Sequence, residues 1–380
     1  MVRALVQRNL FIRIFDMTRK QTLKAIIFIV LIGWMLLHLT YILRTNGDVK
    51  DRFVGFYAEK NDTIDAVVIG SSPVPMCFET PRIYGETGIT MYPISSNMQR
   101  PVATKYLVEE VLKTQSPELF IFEMRMWGAE DENLLGNMAH TREVTDNLKY
   151  SVNRKRTIDA MVADPDERLT YYFDIFKYHS NWKTLFLWSQ FRTLFYEYPE
   201  DLKGYLPETD VGPSDAPILV EESATKSIPP EQEEYLRDLL AYLKEKNINA
   251  LFVTTPFAAS EEEQMEINYM AQFIENEGYP FLDMNRHLDE IGLDFATDIR
   301  DYGTHTNVLG AQKVTDYLMK YLKENYVDTG VALTIDHRGD KKYKSWDKAY
   351  EKYESEIDAA RSKALSNVTN GTYYELETDE

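Results

Sequence analysis

Cysteine is almost absent: Cys77 is the only one in 380 residues. An intramolecular disulfide framework and every multi-cysteine zinc site are thereby excluded, and a lone cysteine reads as a small core residue. Positive charge is also in short supply. Lys and Arg number 42 against 61 Asp and Glu, a formal net charge of −19. So acidic a chain repels phosphate backbones, which argues against a nucleic-acid partner. Neither a phosphate loop nor a dinucleotide fingerprint occurs. No His, Asp or Glu group has metal-ligand spacing, and Asp283–Asp294 lacks the glycine of a calcium loop, so no metal and no cofactor is expected. Internal repeats and low-complexity segments are missing too. What is plentiful is apolar material, 44% hydrophobic and 13% aromatic residues. That excludes wholesale disorder, and the length allows one large domain or two ordinary ones.

The few basic groups crowd the N-terminus. Residues 1–44 hold Arg3, Arg8, Arg13, Arg19, Lys20, Lys24 and Arg44 against one acid, Asp16, leaving 35 basic and 60 acidic residues for the remainder. Between Lys24 and Arg44 the chain reads AIIFIVLIGWMLLHLTYIL, 19 uncharged residues. As a helix this run is just long enough to cross about 30 Å of hydrocarbon. Six basic groups precede it, so segment 1–24 is expected in the cytoplasm and everything after Arg44 outside. No small-x-small cleavage site follows, which favours an uncleaved single-pass anchor over residues 25–43 in the cell membrane rather than a signal peptide. A buried core helix would need the polar face this run lacks. His38, near its outer end, is expected at the interface.

Beyond the anchor, strand and helix patterns alternate. Ile64–Ile69 (IDAVVI) is a short apolar run stopping at Gly70-Ser71-Ser72-Pro73. Pro101–Thr114 has helical spacing, Glu118–Met124 (ELFIFEM) reads as a second strand, and Glu231–Lys246 as a charged amphipathic helix. Ala250–Thr254 is a third strand, Glu261–Asn276 a helix, Pro280–Met284 a short strand, and Val308–Tyr326 a last helix striped by Ala311, Val314, Leu318 and Leu322. Strands separated by crossovers of this length predict an α/β fold, a mostly parallel sheet covered on both faces, with its site at the carboxyl ends of the strands.

Residues 128–228 interrupt the alternation. They are rich in aromatics (Tyr171, Tyr172, Phe173, Phe176, Tyr178, Trp182, Phe186, Trp188, Phe191, Phe195) and read as helical. The last part, through Pro207–Pro230, carries five prolines and reads as a loop returning to the sheet. A helical insertion over the strand ends, partly lid or substrate wall, is expected, although most of these rings are ordinary core. Within it His179 and Trp182 stand at i, i+3 and share a helix face, so they are candidate substrate contacts, with a core tryptophan as the plainer alternative. After Tyr326 the chain runs into an acidic end in which Ser345–Arg361 can form a helix.

Two segments carry chemistry. Gly70-Ser71-Ser72 ends a parallel strand, and a serine in such a turn exposes its hydroxyl while the following backbone N–H groups can stabilise an oxyanion. The same sequence also makes an ordinary loop. Asp301-Tyr-Gly-Thr-His305-Thr-Asn307 precedes the last helix. An acid and a histidine on one turn can supply a base and the carboxylate that orients it, though polar residues are also common at helix starts.

Together and in this order, with Asn307-Val-Leu-Gly310 opening the last helix, these segments resemble the SGNH (GDSL-like) hydrolase superfamily over roughly residues 62–327. The resemblance implies a flavodoxin-like three-layer sandwich over residues 45–327, the insertion about 128–228 included, followed by a C-terminal extension, 328–380. It implies Ser72 as the acylated nucleophile, His305 as base and Asp301 as orienting acid. Membrane-anchored bacterial members to which the chain is similar include the D-alanyl-lipoteichoic-acid transfer proteins and relatives encoded with membrane-bound polysaccharide O-acyltransferases. YYFDIFKYHSNWK and DHRGDKKYKSWDKAY look like segments of those relatives. An esterase or acyltransferase acting on acyl, first of all acetyl, esters of a cell-envelope glycan is therefore expected. The alternative is a non-catalytic partner that binds glycan or docks a membrane-bound O-acyltransferase.

Three positions depart from the family pattern. The acid lies four before the histidine rather than three, which makes Asp298 a second candidate. Where a glycine usually offers its N–H, Tyr92-Pro-Ile-Ser-Ser-Asn97 has Ser95 and Ser96. Where an asparagine is usual, the second strand ends Phe122-Glu123-Met124-Arg125. Ser96 and Arg125 are thus the candidate oxyanion or substrate-binding residues, Arg125 alternatively being a surface arginine or one ion-paired with Glu123.

Overall fold

Runs of apolar residues without a polar face can form strands only where both sides are covered, and five such runs pair here. The computed structural model describes residues 18–44, 47–131, 134, 138–184 and 202–375. The strands are β1 (Ala66–Gly70), β2 (Met91–Ser95), β3 (Leu119–Glu123), β4 (Ala250–Thr254) and β5 (Phe281–Asp283). They form one sheet in the order β2-β1-β3-β4-β5, every neighbouring pair parallel. The chain divides into two units, Met1–Thr45 with Phe173–Phe195, and Asn46–Tyr172 with Tyr196–Glu380. The sheet belongs to the second.

The helices, in chain order, are α1 (Arg19–Leu43), α2 (Asp48–Ala58), α3 (Pro73–Cys77), α4 (Thr80–Thr87), α5 (Thr104–Val111), α6 (Met138–Thr145) and α7 (Val152–Met161). They continue with α8 (Pro165–Tyr172), α9 (Ile175–Tyr178), α10 (Pro230–Lys246), α11 (Glu261–Asn276), α12 (Leu288–Ile291), α13 (Val308–Leu322) and α14 (Lys344–Asn370). Strand side chains alternate between two apolar clusters, as the two-residue period requires. Val67, Ile69, Phe120, Phe122 and Phe252 pack with Phe53 and Phe56 of α2, Leu107 and Val111 of α5, Leu239 of α10 and Ile267 of α11. Ala66, Val68, Ile121, Leu251 and Val253 face Ile83 of α4 and Val314, Leu318 and Leu322 of α13. The parallel sheet covered on both faces is as expected.

The strand MYPIS was not legible as one. Pro93 removes a ladder donor, which a strand tolerates at a sheet edge, and β2 is that edge. Its register with β1 sets Ser95 opposite Gly70. The residues after 327 are an integral part of the second unit. Trp346 of α14 is fully buried against Tyr84 and Tyr92, ring centroids 5.7 and 6.5 Å away, with the Lys203 ammonium 5.0 Å from its own ring centre.

The insertion is divided between the units. Helices α6, α7 and α8 belong to the second, where Tyr171 is buried with Ile158 and Val162. Phe173, Phe176, His179 and Trp182 belong to the first. Phe186, Trp188, Phe191 and Phe195 lie outside the described residues. The proline-rich stretch after Tyr205 has neither helix nor strand up to Pro230, as a returning loop should.

In the first unit α1 starts on a reciprocal capping box between Thr18 and Gln21, which satisfies donors the first turn leaves open. It is long and apolar enough to span a membrane.

Candidate active site

The serine turn is shaped by what glycine lacks. A Cβ at position 70 would lie 2.5 Å from Glu123 Cβ and 2.7 Å from Val74 Cγ2, so β1 and β3 approach this closely only with Gly70. Ser71 points inward, buried, and its hydroxyl donates to Glu123 Oε2 at 3.4 Å. Ser72 points out, partly exposed, at the position preceding α3.

One expectation fails here. The residue after Ser72 is Pro73, which has no N–H, and the next donor, Val74 N–H, is spent on the Ser71 carbonyl at 3.2 Å. The backbone downstream of Ser72 therefore offers no oxyanion donor through Val74. That signal was present in the sequence as Ser72-Pro73.

The histidine turn is a closed loop. Ile299 bridges Thr306, Arg300 N–H donates to the His305 carbonyl at 2.8 Å, and Asn307 N–H to the Asp298 carbonyl at 2.9 Å. Tyr302 and Gly303 reverse the chain with φ of 60° and 109°, a conformation that favours glycine. Reversal across two left-handed residues explains how an acid four positions before the histidine still meets it. Asp301 Oδ1 accepts His305 N–H at 2.8 Å, and Oδ2 faces Nδ1 at 2.6 Å. His305 Nε2 then lies 2.7 Å from Ser72 Oγ.

With Nδ1 against a carboxylate, the ring carries its proton there, leaving Nε2 to accept the Ser72 hydroxyl proton. Burial raises the Asp301 pKa, but the ring and backbone donors of His305, helped by the Arg300 guanidinium 3.4 Å away, outweigh it and hold the group below its ordinary value. Asp298, the alternative acid, is engaged elsewhere. It is buried, pairs with Lys313 at 2.6 Å and accepts from Asp294 N–H and the Thr297 hydroxyl.

Helix α13 anchors this turn. Asn307 Oδ1 caps it by accepting from Leu309 and Gly310 N–H. Gly310 is needed because a Cβ there would sit 2.5 Å from the Asp298 carbonyl. Thr306 Oγ1 donates to the Met76 carbonyl at 3.1 Å, tying the turn to α3 behind Ser72. The returning loop closes the other side: Gly212 exchanges backbone bonds with Ile299 and Tyr302, both 2.9 Å, and Ala258 N–H reaches the Gly303 carbonyl. Glu208 pairs with Arg300 at 3.2 Å, and the Tyr302 hydroxyl donates to the Tyr374 carbonyl at 2.7 Å. None of Gly212, Glu208 or Tyr374 carries a motif that marks it in sequence, and Thr306 lay within the histidine segment without a role of its own.

Arg125 reaches the same turn. Its guanidinium donates to the Thr304 carbonyl at 2.7 Å and lies over the Phe257 ring, 4.5 Å from its centre. In place of the alternative side-chain pairing with Glu123, the Arg125 backbone N–H donates to Glu123 Oε1 at 3.0 Å. Burial lowers the guanidinium pKa, opposed by the charges of Glu123, Glu263 and Asp301. Glu123 is itself buried, and burial raises its carboxyl pKa against the Arg125 and Ser71 bonds.

Ser96 is fully buried with its hydroxyl turned to Gln99 at 3.4 Å, and Asn97 gives its side-chain amide to Glu143 at 3.1 Å. The Ser95 hydroxyl, in the register partner of Gly70, is buried with no hydrogen-bond partner among the described residues. His179 and Trp182 fall in the first unit, with His179 Nδ1 3.0 Å from the Phe176 carbonyl. The chain Ser72–His305–Asp301 is built by the second unit without them. Cys77 is buried, and burial pushes its thiol pKa far up, the state of an inert core residue.

A hydroxyl, an imidazole free to accept its proton and a carboxylate orienting that imidazole can together carry out nucleophilic acyl transfer. No family model matches the chain, and neither does any curated protein or solved structure.

Proposed function

We propose that this chain is a membrane-anchored serine acyltransferase or esterase of SGNH type, acting outside the cytoplasm on acyl esters of a cell-envelope polysaccharide, acetyl being the first candidate group. The observation that carries the reading is the continuous Ser72–His305–Asp301 chain, 2.7 and 2.6 Å between its members, at the carboxyl end of β1. The strand order supports a flavodoxin-like sandwich, whose switch point falls between β1 and β3, and Ser72 and Arg125 stand at that crevice. The apolar α1 and the basic residues before it support an anchor with the main domain facing outward.

In the proposed reaction Ser72 Oγ attacks the ester carbonyl as His305 Nε2 takes the hydroxyl proton. The acyl–oxygen bond to the leaving alcohol then breaks as His305 returns the proton to it. A sugar hydroxyl, or water, next attacks the acyl-serine, and His305 shuttles the second proton in the same way. Arg125 stabilises the transient oxyanion in place of the usual amide donors.

A fluorophosphonate probe tests this directly. Covalent labelling of the parent, absent in Ser72→Ala, is the expected result, and faster loss of a preformed acyl group on adding a glycan acceptor distinguishes transfer from hydrolysis.

A second reading is favoured by one observation. The Ser96 hydroxyl and the Asn97 amide are both committed to neighbours, which leaves the buried Ser95 hydroxyl as the remaining side-chain donor of the second block. A chain unable to hold an oxyanion would serve as a non-catalytic partner that binds glycan or docks a membrane-bound O-acyltransferase. Failure of Ser72 to label under any condition would leave this reading in place.

A further inference from the structure

We infer that residues 173–184 form a second membrane contact, a collar of aromatic rings seated in the phospholipid headgroup zone of the bilayer that α1 crosses. The inference rests on the anchor reading of α1 and adds a membrane-facing role to a segment outside the candidate active site.

The argument begins with which part of α1 is covered. Large apolar side chains from Leu23 to Leu37 are exposed all round the helix, whereas Thr40, Ile42 and Leu43 are buried. The cover comes from α9 and the turn His179–Thr184, both in the same unit. Asn181 Nδ2 donates to the Leu43 carbonyl at 3.1 Å, satisfying one of the carbonyls that a helix end leaves open. Arg44 Nε donates to Asp174 Oδ2 at 2.6 Å, and both side chains are buried. The uncharged run Ala25–Leu43 is 19 residues, about 28 Å of helix at ~1.5 Å per residue against ~30 Å of hydrocarbon. Arg44 therefore emerges at the lipid boundary, and every group tied to it or to Leu43 lies at that depth.

A guanidinium buried as Arg44 is is costly unless neutralised. Asp174 supplies the opposite charge, so the pair can sit beside lipid as a neutral unit. The exposed face of the collar is apolar. Phe173, Phe176 and Trp182 are 57%, 60% and 57% exposed, with Phe173 and Phe176 edge to face at 6.4 Å. A water-soluble surface gains nothing from three such rings within ten residues, whereas aromatic rings are enriched where a chain leaves the membrane. Exposed Lys177 and Lys183 stand among them, a combination that suits anionic headgroups above and acyl chains below. A partner protein would instead cover the same rings with side chains, and the experiment separates the two.

Nitroxide probes on the full chain in liposomes of phosphatidylglycerol and phosphatidylcholine read this depth. Phe176→Cys and Trp182→Cys carry the test, Ile29→Cys marks mid-helix α1, and Glu245→Cys marks water. Buried Cys77 does not compete for label. Collisions with oxygen relative to a water-soluble nickel chelate should be about tenfold more frequent at 176 and 182 than at 245, and below the value at 29, as an interfacial depth requires. Aqueous values at 176 and 182 with Ile29→Cys in hydrocarbon would overturn the collar while leaving the anchor intact. Exclusion of both reagents at 176 and 182 would mean a protein covers the rings and would also overturn it. An aqueous value at 29 would instead sink the anchor reading.

Discussion

Replacing Asp301 with asparagine isolates the one contact that would make His305 a base in the proposed reaction. The asparagine oxygen can still accept the His305 backbone N–H, now at 2.8 Å, so the turn across Tyr302 and Gly303 keeps its shape. The second oxygen, 2.6 Å from Nδ1, becomes an NH2 group. Two donors cannot share that space, so the imidazole proton moves to Nε2 and faces Ser72 Oγ, where no proton can then be accepted. The same exchange in a serine protease triad costs about 10⁴ in turnover, or about 5.4 kcal/mol at ~1.36 kcal/mol per decade. Here a loss of roughly 10³- to 10⁴-fold in the rate of Ser72 labelling is expected, with a urea midpoint near neutral pH somewhat below the parent's, because the charged carboxylate's stabilising contribution is gone. Asp298→Asn is the complementary perturbation: it removes a buried partner of Lys313 and should lower stability while leaving the labelling rate of the folded fraction within about threefold of the parent. The proton linkage adds a check. Because the folded Asp301 pKa lies below its ordinary value of 3.8, the stability it contributes is present above that value and lost as pH falls through the folded pKa. Asp301→Asn should therefore lose less stability on acidification below pH 3.8 than the parent does. An Asp301→Asn protein that labels within a few-fold of the parent would refute the tautomer argument.

Three further outcomes are expected. Arg125→Met should slow Ser72 acylation by about 100-fold or more by removing an oxyanion donor, with Arg125→Lys recovering part of it; equal rates in all three would confine Arg125 to holding the Thr304 carbonyl. Glu123 has a raised pKa in the fold, so its contribution disfavours folding as pH rises from the ordinary glutamate value of 4.5 through the folded one. Glu123→Gln should remove that slope, seen as a urea midpoint difference between variant and parent that grows as pH rises above 4.5. Trp346→Ala should cost about 3–5 kcal/mol in urea unfolding as an aromatic core truncation, whereas a dispensable extension would lose almost nothing.

Local chemistry determined much of this protein directly. The uncharged run between Lys24 and Arg44 is helical although many of its residues are β-branched, because a helix satisfies the backbone groups within the segment itself, and it is apolar on every side whatever surrounds it. β1, β3, β4 and β5, with α10, α11 and α13, end within a few residues of where periodicity and the Gly-Ser-Ser turn said they would. Ser260 and Asn307 are caps, and a cap acts within one turn of its own residue. Asp301 and His305 could be paired in sequence for the same reason, being four residues apart on one turn.

What lay beyond that range was decided by tertiary structure. Ser72 and His305 are 233 residues apart, and only the parallel order of the sheet with α13 packed behind α3 sets them within a hydrogen bond. MYPIS is a strand because an edge position forgives Pro93, and an edge is a property of the sheet, not of five residues. Trp346 and Trp182 look alike in sequence, yet one is sealed beneath Tyr84 and Tyr92 while the other is exposed in the unit of α1. Arg125 could have paired with Glu123 two residues away. Burial decided otherwise: it took the Glu123 carboxyl inward to Ser71 and Thr255 and left the guanidinium to reach Thr304 across the crevice. The choice between two partners for one charge depends on which is desolvated, and desolvation is set by everything packed around the group rather than by the residues beside it in the chain.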